Sequence, residues 1–356
     1  MINRQPAVNP LTPHVFGAIL HKNVQLPANI GKYELIERLG GSTAEVYRSR
    51  DASLGRTVAI KILTEAGLGD AEAHSRFLAE ARLIGSLVHE NIIGFYDYGE
   101  QAGRPFLVME YLDGESLGAA IRGWRTGDLR NKLLIGRQIA NGLAYVHSKG
   151  IIHRDVKPDN IWIDSAGKVK IIDFGVAKTE EFSITGTGFT LGTPYYMAPE
   201  QVRGEKPTPL VDIYSFGVLL FELVTGIRPF EGQTVNEIFD QVLHRALDLE
   251  PLKKAGIPDA VSDLIHGCTS KEPGARTQDF SILAGKIDEI LRRMPEGGRS
   301  RRRWAWIAGA VVLVVVVLVI YIVLRYRCQI VWGSWLADWK AVATWSAAPV
   351  DRIAAK

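Results

Sequence analysis

The stretch IIHRDVKPDNIWI, residues 151–163, sets Asp155, Lys157 and Asn160 between two apolar runs. A purely structural segment does not concentrate charged and amide groups beside chain destined for the interior, because an unpaired polar group there costs free energy. The segment therefore reads as a loop that carries chemistry, held by buried flanks. Soon after it, KIIDFGVAK, residues 170–178, places Asp173 at the end of a short apolar strand. A strand-end aspartate alone is ordinary turn or cap chemistry. With Asn160 in the same region it becomes half of an oxygen-rich pair suited to Mg²⁺, which takes one or two protein oxygens alongside phosphate and water.

Working outward toward the N-terminus, RTVAIKIL, residues 56–63, alternates as a strand and sets Lys61 among core-facing neighbours. RFLAEARLIGSLVHENI, residues 76–92, has helical periodicity, with Phe77, Leu78, Ala81 and Ile84 on one side and Glu80 beside that face. ERLGGSTAEVYRSRD, residues 37–51, offers a short polar turn, Gly40 to Ala44, between two strands. Taken alone it is a hairpin turn; next to a cluster of cations and carboxylates it is a candidate cover for phosphates.

In chain order the residues are VAIK ending at Lys61, Glu80, HRDVKPDN from His153, DFG from Asp173, and GTPYYMAPE ending at Glu200. This set resembles the bacterial eukaryotic-like (Hanks-type) Ser/Thr protein kinases, of the type with a single C-terminal transmembrane helix. The resemblance covers about residues 31–292. It implies an α+β, two-lobed kinase fold, a small β-rich N-lobe with the hinge over 31–112 and a larger helical C-lobe over 113–292, plus one transmembrane helix.

By the same resemblance, Asp155 orients the substrate hydroxyl and accepts its proton, and Lys157 approaches the transferring phosphate. Lys61 holds the α- and β-phosphates of ATP and pairs with Glu80, while Asn160 and Asp173 hold Mg²⁺ or Mn²⁺. Leu39, Gly40, Gly41, Ser42, Thr43 and Val46 form the phosphate-covering loop, and Ala59 belongs to the nucleotide site. That loop is one residue shorter than the family's G-x-G-x-x-G-x-V run, with Ala44 where the third glycine is expected. In LVMEYLDGESL, residues 107–117, Met109 guards the adenine pocket and the backbone from Glu110 to Leu112 reads adenine. Lys157 and Thr193 point to Ser or Thr of protein substrates as acceptor.

Arg154 beside the catalytic aspartate implies control by phosphorylation of the activation segment, residues 179–193, with Ser183, Thr185, Thr187 and Thr190 as acceptors and Thr187 or Thr190 preferred. A kinase homodimer would serve autophosphorylation. Glu200 is expected to pair with Arg276, and Asp212 to brace the catalytic loop. A pseudokinase-like membrane scaffold and a small-molecule kinase are the other readings; the intact set Lys61, Glu80, Asp155, Asn160 and Asp173 argues against the first, and the full segment ending in APE against the second.

Composition limits the rest. The 356 residues are 47% hydrophobic with a net charge of +3, enough for a large core and without the basic stripe that tracks nucleic acid. Cys268 and Cys328 alone cannot make a disulfide framework. Residues 1–30 read as a loose extension with three prolines in the first 13 positions, not a secretion signal. A basic linker, 293–303, precedes 21 uncharged residues, 304–324, enough for a helix of roughly 31 Å. Arg299, Arg301, Arg302 and Arg303 before the span place the kinase domain on the cytoplasmic side of the inner membrane. The outer tail, 325–356, carries Trp332, Trp335 and Trp339 at the spacing of one helical face suited to the lipid interface, with a tryptophan-rich disordered tail as the alternative.

Overall fold

The alternating apolar residues of residues 56–63 become the centre of an antiparallel sheet. Strands β1 (Asn29–Ile30), β2 (Tyr33–Gly40), β3 (Ala44–Asp51), β4 (Arg56–Leu63), β5 (Phe95–Gln101) and β6 (Arg104–Glu110) lie in the order β1-β2-β3-β4-β6-β5. One face buries Ile30, Tyr33, Tyr47, Val58, Ile60, Ile62, Phe106 and Val108 as a single cluster. Each large apolar side chain so buried contributes roughly 1.5–3 kcal/mol. The computed structural model describes residues 29–41, 43–174 and 194–295, together with Gly309, residues 312–318 and Ile320. Strand β1 pairs with β2, so the described sheet includes Asn29 and Ile30, just before the start expected at residue 31.

Between β4 and β5 stand α1 (Glu65–Gly69) and α2 (Ala71–Gly85). Helix α2 starts earlier than its apolar periodicity suggests because Asp70 caps it, accepting from the backbone N–H groups of Glu72 and Ala73. Its inward face is Ala73, Phe77, Ala81 and Ile84, which leaves Glu80 beside the sheet.

The second lobe begins with β7 (Glu115–Ser116) and α3 (Leu117–Arg122) and continues with α4 (Leu129–Ser148), β8 (Ile161–Ile163) and β9 (Val169–Ile171). Then come α5 (Pro199–Val202), α6 (Leu210–Thr225), α7 (Val235–His244), α8 (Glu250–Lys254), α9 (Asp259–Cys268) and α10 (Phe280–Arg293). Helix α6 is mostly apolar and buried from Val211 to Val224, with α4, α8 and α9 packed against it. It ends at Gly226, whose φ of 80° supplies the left-handed cap.

The lobes are joined behind the strand β6 terminus. Lys170 of β9 places its Nζ 2.7 Å from Glu110 Oε2 and donates to the Ile92 carbonyl at 3.1 Å. Backbone bonds from Ile171 N–H to Asn91 O and from Ile93 N–H to Ile171 O add a bridge between the loop after α2 and β9.

The chain divides into two units, Met1–Arg293 and Met294–Lys356. In the second unit Gly309, residues 312–318 and Ile320 are helical, with side chains such as Val312 and Leu313 exposed. Among the described residues no helix is long and apolar enough to cross a membrane. Most of the expected span 304–324 lies outside those residues, as do residues 1–28, the linker beyond residue 295 and the tail 325–356.

Candidate active site

A cavity of about 550 Å³ lies beneath β2 and β3 and above the end of β6. Leu39, Gly41, Thr43 and Val46 roof it, Ala59, Lys61 and Glu80 stand along it, and Met109, Glu110 and Leu112 close it at the lobe junction. Asp173 enters from the second lobe. Gly40 does not line the cavity, and Ser42 lies outside the described residues.

Only one of the paired glycines is indispensable for space. Gly41 has a φ of 104°, and a Cβ there would meet the Ala44 carbonyl oxygen at 1.9 Å, whereas a Cβ on Gly40 would meet nothing. The roof slips register on either side of Arg38, and this bulging turns the shortened hairpin down over the cavity.

Lys61 Nζ lies 2.7 and 2.8 Å from the two Glu80 oxygens and 3.5 Å from Asp173 Oδ1. Burial works against its charge, but the Asp173 and Glu80 carboxylates outweigh burial and push the ammonium above the ordinary lysine value. Strand β4 and helix α2 thus hold one cation in place inside the cavity.

The loop at His153 to Asn160 forms a separate cluster. Asp155 Oδ2 accepts from Lys157 Nζ at 2.7 Å and from Asn160 Nδ2 at 2.9 Å. Asn160 Nδ2 also donates to the Asp155 carbonyl, so the amide nitrogen is committed inward and its oxygen is the atom left to a cation. The Asn160 carbonyl accepts from Ile172 N–H at 3.0 Å, which brings Asn160 beside the residue preceding Asp173. Strand β9 ends at Ile171, one residue earlier than the sequence suggests, so Asp173 sits on freed chain with a half-exposed carboxylate. Two hard oxygen donors on adjacent chain fit Mg²⁺.

Asp212, fully buried on α6, holds this loop from below. Its Oδ1 accepts from Arg154 N–H and its Oδ2 from His153 N–H, both at 2.8 Å, and His147 Nε2 lies 2.8 Å from Oδ2. Arg154 has a φ of 66°, a conformation unfavourable for a residue with a Cβ, and Asp212 helps to hold it there. The brace expected from the sequence is present. So is the pair of Glu200 with Arg276, at 2.6 and 2.8 Å and almost wholly buried.

Residues 33–287 match the model of the protein kinase domain. The chain is 35% identical over 255 residues to serine/threonine-protein kinase PknL of Mycobacterium tuberculosis, covering 71% of this chain and 64% of PknL. It is 39% identical over 261 residues to serine/threonine-protein kinase PrkC of Bacillus subtilis, covering 72% of this chain and 40% of PrkC. This chain belongs to the protein kinase domain family. A third relative, the probable serine/threonine-protein kinase PknB of Lactococcus lactis, is 37% identical over 261 residues, 71% of this chain and 41% of its own length. The matched stretch therefore spans less than two thirds of each of these relatives.

Within the kinase domain three features escape sequence reasoning. Trp162 lines the cavity floor and donates its Nε1–H to the Asp113 carbonyl at 3.3 Å. Arg76 and Asp70 extend the lining along α2. The Glu110 N–H is spent on the Gly94 carbonyl at 2.8 Å, so Glu110 can offer adenine only its carbonyl oxygen. All three arise from contacts between residues that the sequence pattern does not single out. The activation segment from residue 175 to Thr193, with Ser183, Thr185, Thr187 and Thr190, lies outside the described residues.

Proposed function

We propose that this chain is an ATP-dependent Ser/Thr protein kinase anchored in the cytoplasmic membrane, with its kinase domain on the cytoplasmic side. The observation that carries the catalytic part is the bidentate Lys61–Glu80 pair facing Asp173 in one cavity, beside an Asp155 bonded to Lys157 and Asn160. Asn160 and Asp173 would hold Mg²⁺, which supplies neutralising charge on the β- and γ-phosphates.

The chain's own groups then have distinct tasks. Lys61 binds the α- and β-phosphate oxygens, and Glu80 keeps it aimed. Asp155 accepts a hydrogen bond from the Ser or Thr hydroxyl and takes its proton as that oxygen bonds to the γ-phosphorus and the bond to ADP breaks. Lys157 shields the charge that accumulates on the transferred group. This is positioning and electrostatics, the two demands phosphoryl transfer makes on a protein. An intact set of this kind favours an enzyme over a pseudokinase scaffold.

Support for the anchor is the uncharged run 304–324 with arginines on both sides, whose described valines are helical and exposed. Autophosphorylation is proposed at Thr187 or Thr190, where a phosphate could pair with Arg154. Incubation of the full chain in lipid vesicles with Mg-ATP is expected to place phosphate on its own Ser and Thr residues. Incorporation no greater than in Lys61→Met would overturn the catalytic reading, and release of the chain by alkaline carbonate would overturn the anchor.

A further inference from the structure

The shortened roof of the cavity has an anchor outside the hairpin. Thr43, its last residue, accepts two hydrogen bonds on one carbonyl oxygen, from Thr64 N–H at 3.0 Å and from Thr64 Oγ1 at 2.7 Å. The first continues the β3–β4 ladder one step beyond the Ala44–Leu63 pair. The second comes from a side chain and is not a property of strands. Thr64 is also the N-cap of α1, its Oγ1 accepting from Gly67 N–H at 3.1 Å.

The hydroxyl is therefore a relay, taking a hydrogen bond from the start of α1 and giving one to the roof, so each bond polarises the other. Gly67 is what permits the approach. It is buried, and a Cβ there would fall 2.6 Å from the Thr43 oxygen and 2.7 Å from Leu63 Cδ1. The leucine end could swing away; the carbonyl could do so only by moving the roof.

Since Gly41, Thr43 and Ala44 all line the cavity, the Thr43 carbonyl sets the height of the roof over whatever occupies the Lys61 end. We propose that Thr64, admitted by Gly67, is a positioning residue for the phosphates of the bound nucleotide, acting through the Thr43 carbonyl in place of the glycine this loop lacks. The inference rests on the kinase reading above. Thr64 touches no reacting atom. Its effect should appear in phosphate affinity and not in the chemical step.

Calorimetric titration of the full chain with ATP and with adenosine separates the two ends of the ligand. Thr64→Val, close in shape but unable to donate, should weaken ATP about three- to tenfold, the size expected for one lost hydrogen bond, and leave adenosine within about twofold. KM for ATP should rise with kcat nearly unchanged, and Thr64→Ser should restore both. Gly67→Ala, which keeps the cap and crowds the carbonyl, should reproduce the ATP-selective loss. If ATP and adenosine weaken together in Thr64→Val, or neither weakens, the anchor is refuted and the kinase reading stands. A wild-type chain that binds neither ligand refutes the kinase reading and the anchor with it.

Discussion

The loop at His153 to Asn160 and the roof of the cavity, proposed above to serve one reaction, are held in opposite ways. The loop at His153 to Asn160 is fixed from beneath by a carboxylate with no exposure, Asp212, on a helix buried along nearly its whole length. The roof is a three-residue turn at the surface, tied by Arg38 to the Gly41 carbonyl and to Glu45, and by Thr64 to Thr43. Hydrogen bonds to a buried charge are strong, and leaving their partners unsatisfied is costly; exposed ion pairs are weak. The loop that carries the Asp155 carboxylate is over-determined, while the roof over the cavity is lightly tethered.

Three substitutions would break or sharpen this contrast, in decreasing order of effect. Asp212→Asn sets an amide against backbone donors that now meet carboxylate oxygens, and is expected to cost about 2–4 kcal/mol in denaturant unfolding. In kinetic assays it should lower kcat on the order of a hundredfold, because Asp155 loses its support. Gly41→Ala strains a positive φ and collides with Ala44; KM for ATP should rise about tenfold, with a stability loss of about 1 kcal/mol, well below that of Asp212→Asn. Arg38→Met removes an exposed tie and should change KM for ATP by less than about threefold, an effect that added salt abolishes. The contrast collapses if Gly41→Ala proves to damage kcat and stability as much as Asp212→Asn does.

The same contrast explains what was legible in the sequence. Asp155, Lys157 and Asn160 could be picked out because polar residues set between apolar runs are conspicuous, and Asp173 because it follows a strand; the roles expected of them came from the family resemblance, and the bonds among the first three are local to the loop. The strand bearing Lys61 and the helix bearing Glu80 were visible as periodicity, and their meeting follows from the lobe's topology. The roof was recognisable only in outline. Which glycine has no room for a side chain depends on the position of the Ala44 carbonyl, and the Thr43–Thr64 bond joins residues 21 apart with ordinary side chains. The Lys170–Glu110 bridge is hidden for the same reason: a lysine on a strand and a glutamate at a strand end are commonplace until the fold brings them to 2.7 Å.

Trp162 gives the cavity floor an optical property as well as a shape. Among the described residues it is the tryptophan that lines the cavity, while Trp124 stands 74% exposed elsewhere on the second lobe. An indole face accepts any planar base by stacking, with little demand on its hydrogen-bonding edge. On the proposed function, a purine in the cavity is expected to quench Trp162 emission, which would time nucleotide arrival and departure without labelling, and Trp162→Phe should silence that signal while keeping an aromatic floor.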